Sequence, residues 1–159
     1  MATILRGDDG FDTSKPSQDI PVFKVRIDPA NHLTLTTGTY HEIAFNSVDV
    51  DTASGWNAST YRYTPPISGW YQVTLKLACG AGAIRGANCS VRKNGYIDLY
   101  DTQWAYSDVD DIGMCATGLM YLTPSDYISG YVYLYDVGSS TDVLFADNSQ
   151  FQAHLVRAD

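Results

Sequence analysis

Glutamate is almost missing from this chain: of 18 acidic residues, 17 are Asp and only Glu42 is Glu. Glu is a good helix former, whereas Asp bonds to nearby backbone and settles at turns and caps. The imbalance therefore speaks against a helical protein. Basic residues are scarce too, and 10 Lys and Arg leave a formal charge of −8. That balance excludes nucleic-acid backbones and anionic membrane surfaces as natural partners. Long apolar runs are absent, and a spanning helix needs about 18 or more such residues. Cysteine is limited to Cys79, Cys89 and Cys115, in no zinc-ligand spacing. Cys79 and Cys89 could face each other across a hairpin, but free buried thiols are the expectation. The opening Met1-Ala2-Thr3-Ile4-Leu5-Arg6-Gly7-Asp8 lacks the apolar stretch of a secretory leader. Histidine is confined to His32, His41 and His154, and no Gly-x-Ser-x-Gly elbow is present. Neither a nucleophilic triad nor an enzyme is expected.

What the chain does have is Tyr, Gly, Thr and Val in short alternating runs, the composition of strands joined by Asp-rich turns. Residues 1–21 read as a polar arm whose apolar anchors are Ile4, Leu5 and Phe11. From residue 22 to 159 the pattern is that of one domain. The clearest alternation is Trp70–Cys79, with Tyr71, Val73, Leu75, Leu77 and Cys79 on one face. Asn94-Gly95 between two apolar runs predicts a tight hairpin. Gly80-Ala81-Gly82-Ala83-Ile84-Arg85-Gly86 is not a dinucleotide loop, because its last glycine is one place late and a strand follows. It reads as a flexible hairpin tip. About eight to ten strands in this order make an all-β, two-sheet sandwich or jelly roll.

One stretch is more specific. Phe45, Asp51, Trp56, Tyr63, Gly69, Tyr71, Val73 and Leu75 resemble the signature of the complement C1q globular-head family in its own spacing. Tyr63 and Val73 stand where the family has Phe, and Leu75 stands for an aromatic. Lys93-Asn94-Gly95, Leu122-Thr123-Pro124-Ser125-Asp126-Tyr127 and Ser149-x-Phe151-x-Ala153-His154-Leu155 resemble three further landmarks in order. The resemblance spans roughly residues 22–157. It implies a C1q/TNF-like jelly roll of ten strands that associates as a compact homotrimer. In Tyr131-Val132-Tyr133-Leu134-Tyr135 both strand faces are apolar or aromatic, which points to Tyr131, Tyr133 and Tyr135 as a trimer seam.

Animal members of that family are secreted and usually carry a leader and a collagen-like stalk, and neither is read here. The expectation is therefore a bacteriophage virion protein, a capsid decoration or short head fibre on the particle exterior, made in the host cytoplasm. Its arm would dock on the major capsid protein or another virion protein, and three arms acting together would gain avidity. The alternatives are a tail-fibre or tail-tip protein that recognises a host surface glycan, and a secreted C1q/TNF-like ligand. Exposed aromatics, chiefly Trp104 and Tyr106 with Trp56 and Trp70 behind them, are the candidate glycan contacts. No cofactor is expected beyond calcium, for which Asp108, Asp110 and Asp111 are the candidate ligands. His154, in the closing strand, reads as a structural histidine. The tripeptide Arg6-Gly7-Asp8 and the sequons at Asn57 and Asn88 read as accidental.

Overall fold

The computed structural model describes residues 20–28, 30, 32–136, 141–144 and 148–159, without the side chains of 80–85, 105–111, 136 and 141–144. The described residues form eleven strands: β1 (Val22–Arg26), β2 (Leu33–Thr36), β3 (Tyr40–Glu42), β4 (Ser47–Asp51), β5 (Trp56–Asn57), β6 (Arg62–Tyr63), β7 (Gly69–Lys93), β8 (Tyr96–Leu122), β9 (Ile128–Asp136), β10 (Thr141–Leu144) and β11 (Gln150–Ala158). No helix occurs among the described residues.

All described ladders are antiparallel. The first layer runs β4-β1-β11-β7, with β8 beyond β7. The second is built on β9, which pairs with β3, β6 and the later part of β7. The two layers share β7 and β8, which pair from Gly69↔Leu122 to Lys93↔Tyr96. Register shifts between Gly80 and Ile84, and between Ile84 and Gly86, mark where β7 passes from one layer to the other. Such irregularities bend a strand and sharpen its twist, and glycine offers least resistance there. The segment 80–86 is thus a corner within a strand and not a hairpin tip. The true hairpin is Asn94-Gly95, both with positive φ (52° and 87°), the geometry that Asn and Gly adopt readily.

Between the layers lies one apolar core containing Phe23, Phe45, Tyr63, Tyr71, Val73, Leu75, Leu77, Val132, Leu134 and Phe151. The residues that carry the family resemblance are core devices. Phe23 and Tyr63 stack with ring centroids 4.0 Å apart. Asp51 accepts backbone N–H bonds from Gly55 (3.1 Å) and Trp56 (2.9 Å), closing the turn that delivers Trp56 to the core. Tyr71 donates its hydroxyl to the Ile67 carbonyl at 2.8 Å. A Cβ on Gly69 would collide with the Arg157 carbonyl, so glycine is required where β7 and β11 approach.

Candidate functional site

The second layer presents an outward face with an unusual surface. Alternation along β7 sends Ala87, Cys89 and Val91 into the core. It leaves Gly86, Asn88, Ser90 and Arg92 facing outward. The register then sets their neighbours. Gly86 lies between Trp104 and Tyr135, Asn88 between Thr102 and Tyr133, and Ser90 between Tyr100 and Tyr131. On the far side of β9, Tyr40 pairs with Tyr133 and Glu42 with Tyr131. Small residues thus form a floor along β7, and aromatic residues on β8, β9 and β3 form its walls.

The aromatic rings are continuous. Trp104 lies over Gly86, where a Cβ would meet its ring at 2.6 Å. Trp104 reaches Tyr135 with a centroid distance of 4.5 Å. Tyr135 and Tyr133 follow at 4.6 Å, and Tyr133 and Tyr40 at 4.9 Å. Arg92 lies with its guanidinium over the faces of Tyr131 (3.9 Å) and Tyr40 (4.8 Å), and Arg62 covers Tyr127 at 4.1 Å. These cation–π contacts hold the tyrosines in place. Burial pushes the Tyr135 and Tyr131 phenols up from their ordinary value, with Tyr40 and Tyr133 adding to the rise at Tyr135 and Glu42 to that at Tyr131. Both therefore stay neutral donors and acceptors at physiological pH.

The floor is polar and lies beneath the rings. Ser90 is 0% exposed and Asn88 8% exposed. The Asn88 Oδ1 and Ser90 Oγ atoms have no hydrogen-bond partner among the described residues. On the rim, Trp104 is 64% and Tyr100 67% exposed.

Of the residues singled out from the sequence, Trp104 lies on this face. Tyr131, Tyr133 and Tyr135 do too, but their rings find partners within their own chain, in Tyr40, Arg92 and Trp104. The outward side of β9 thus has ring contacts within its own chain. Trp56 is not a surface aromatic: it packs on the core, 5.9 Å from Phe23 and 6.4 Å from Phe151 by ring centroid. His154 points out of β11 and is exposed. Cys79 and Cys89 are buried within the same strand, and Cys115 is exposed rather than buried. Ile4, Leu5 and Phe11 lie outside the described residues. So do the side chains of Tyr106, Asp108, Asp110 and Asp111, whose backbone is strand β8 and not a loop. Among the described residues no group of three His, Cys, Asp or Glu is placed to hold a metal ion. Asn88 and Ser90 were not expected as site residues, because their place on the floor depends on cross-strand register.

No protein-family model matches the sequence, and no curated protein matches it. Solved structures do match in shape. The globular domain of zebrafish complement C1qA has a TM-score of 0.65 at 13% identity, over 89% of this chain and 100% of that one. The Eiger TNF of S. frugiperda gives 0.62 at 10% identity, covering 88% and 94% of the two chains. Murine APRIL gives 0.65 at 11%, covering 86% and 99%. The fold is the C1q/TNF jelly roll. In this jelly roll the aromatic face is the outside of the β9 layer, and the outside of the β11 layer forms a second distinct surface. There Trp70 packs edge-on against Tyr121 with centroids 5.7 Å apart. Trp70 is 45% exposed, Leu119 55% and Val156 56%. Around them Gln72, Thr74 and Thr117 are linked by hydrogen bonds of 3.0 Å and 2.9 Å.

Proposed function

We propose that this chain is a non-enzymatic attachment head that works as a homotrimer, with the outside of the β11 layer as the subunit seam. The exposed apolar residues Trp70, Leu119 and Val156, with Tyr121 edge-on to Trp70, carry this reading. Contiguous exposed apolar side chains rimmed by polar ones mark an interaction surface. The seam is drawn here rather than at Tyr131, Tyr133 and Tyr135, whose rings already contact Tyr40, Arg92 and Trp104 of their own chain. Light scattering on the purified protein should give three times the chain mass, and Leu119→Asp should reduce it to the monomer. A monomeric wild type overturns the seam.

The finer reading is a bacteriophage virion decoration or short head fibre, in which residues 1–21 dock on the capsid through Ile4, Leu5 and Phe11 and the jelly roll projects outward. Its support is the acidic surplus, which suits a face turned away from packaged nucleic acid, and the polar arm itself. Deleting residues 1–21 should abolish particle binding and leave the head folded, and electron microscopy should place the protein on the shell. The same fold serves an extracellular C1q/TNF-like ligand equally well. Absence of the protein from purified particles would favour that role.

A further inference from the structure

We propose that the outward face of the β9 layer is a binding site for a neutral glycan, with Trp104 and Tyr135 as the stacking surface and Asn88 and Ser90 as the hydroxyl-binding floor. The proposal rests on the attachment reading for its purpose and goes beyond it in naming the ligand's chemistry.

Two independent features converge on this face. The first is the run of rings Trp104–Tyr135–Tyr133–Tyr40, in steps of 4.5, 4.6 and 4.9 Å. Trp104 is its exposed end, tilted 35° to Tyr135. An aromatic face offers apolar area at little entropic cost, and Tyr and Trp each add a polar tip. A sugar ring complements it, with C–H groups on its faces and hydroxyls around its edge. The second feature is the pair of buried, unpartnered oxygens beneath, Asn88 Oδ1 and Ser90 Oγ. Residues two apart on a strand point the same way, about 7 Å from one another. Buried polar atoms in folded proteins nearly always have partners, and here two exceptions lie side by side beneath one aromatic surface.

The chemistry of those atoms selects among ligands. Asn88 Oδ1 only accepts, so the ligand must bring a donor. A sugar hydroxyl does. A proline-rich segment, the other usual occupant of aromatic grooves, has no N–H at its prolines to give. Anionic sugars are disfavoured as well. The guanidinium of Arg92 lies over Tyr131 and Tyr40, and that of Arg62 over Tyr127 with the Glu42 carboxylate 3.9 Å away. The chain as a whole carries −8. A neutral sugar meets this net negative charge without repulsion.

The test uses the full chain on an array of neutral hexose and N-acetylhexosamine oligosaccharides, with sialylated and sulfated counterparts and a polyproline peptide. Neutral oligosaccharides should be retained, and retention should be insensitive to salt. Trp104→Ala and Asn88→Ala should each weaken it by about tenfold or more. Trp104 is a rim residue, so its variant reports binding and not folding. Amide shifts on adding the retained sugar should centre on residues 86–90 and 133–135. No binding of any neutral sugar, equal binding by Trp104→Ala, or preference for the peptide or the charged sugars overturns the proposal. Leu119→Asp separates the two readings: its monomer should keep the sugar site, so loss of the trimer and loss of binding are distinguishable failures.

Discussion

Asn94 and Asp126 bind each other side chain to side chain, Nδ2 donating to Oδ1 at 2.7 Å, and so tie the β7–β8 hairpin to the turn before β9. The rest of each side chain is engaged as well. Asn94 Oδ1 accepts the Tyr127 N–H at 2.9 Å. The second Asp126 oxygen accepts the backbone N–H and the hydroxyl of Thr123, each at 2.9 Å, and Lys93 Nζ lies 3.3 Å away. The Lys93 ammonium also donates to the Tyr121 carbonyl at 2.8 Å.

Asp126 should therefore be a determinant of acid stability. Partial burial raises its pKa, but the hydrogen bonds from Asn94, Thr123 and Lys93 outweigh that and hold it at about 2. A folded value below the ordinary 3.8 means the stabilisation is present above that value and is lost as pH falls toward 2. Asp126→Ala should cost about 2–3 kcal/mol at neutral pH. Its stability curve, from denaturant melts, should run closer to that of wild type below pH 3 than at pH 7.

Tyr63→Phe should leave stability unchanged or raise it by up to about 1 kcal/mol. The Tyr63 side chain is fully buried, its hydroxyl has no partner among the described residues, and burial drives its pKa far upward. Phe keeps the 4.0 Å stack on Phe23 and removes the stranded oxygen. A fall in melting temperature would show that the hydroxyl has a partner in solution.

Gly55→Ala should destabilise by about 1–3 kcal/mol, as overpacking does. Its Cβ would stand 2.6 Å from both the Tyr63 ring and the Thr64 carbonyl. Gly113→Ala is the control, since nothing lies within 4 Å of its Cβ. Thermal melts of the pair should differ in that order.

Of the three cysteines, only Cys115 should react with a thiol reagent in the native protein. Burial pushes the Cys89 thiol up to about 12, which leaves almost no thiolate, and Cys79 is buried as well. All three should react in denaturant.

The jelly roll was legible in the sequence because its signature residues act locally and in the core. Phe45, Tyr63 and Tyr71 announce buried positions, Asp51 a turn, and Asn94-Gly95 a hairpin. The length of β7 and β8 was not legible. Residues 80–86 are rich in glycine and 105–111 in Asp, so both look like loops. Gly80, Ile84 and Gly86 nonetheless pair with Asp111, Val109 and Trp104, because a ladder bond needs only the main chain. The site was half legible: Trp104 shows itself as an aromatic in a polar stretch. Asn88 and Ser90 look like ordinary polar strand residues until the register sets them beneath the aromatic walls.

Since β7 and β8 each run through both layers, the layers are two stretches of one ladder folded over a corner. A pull on one face of this head reaches the other along the main chain itself, without relying on the apolar contacts between them.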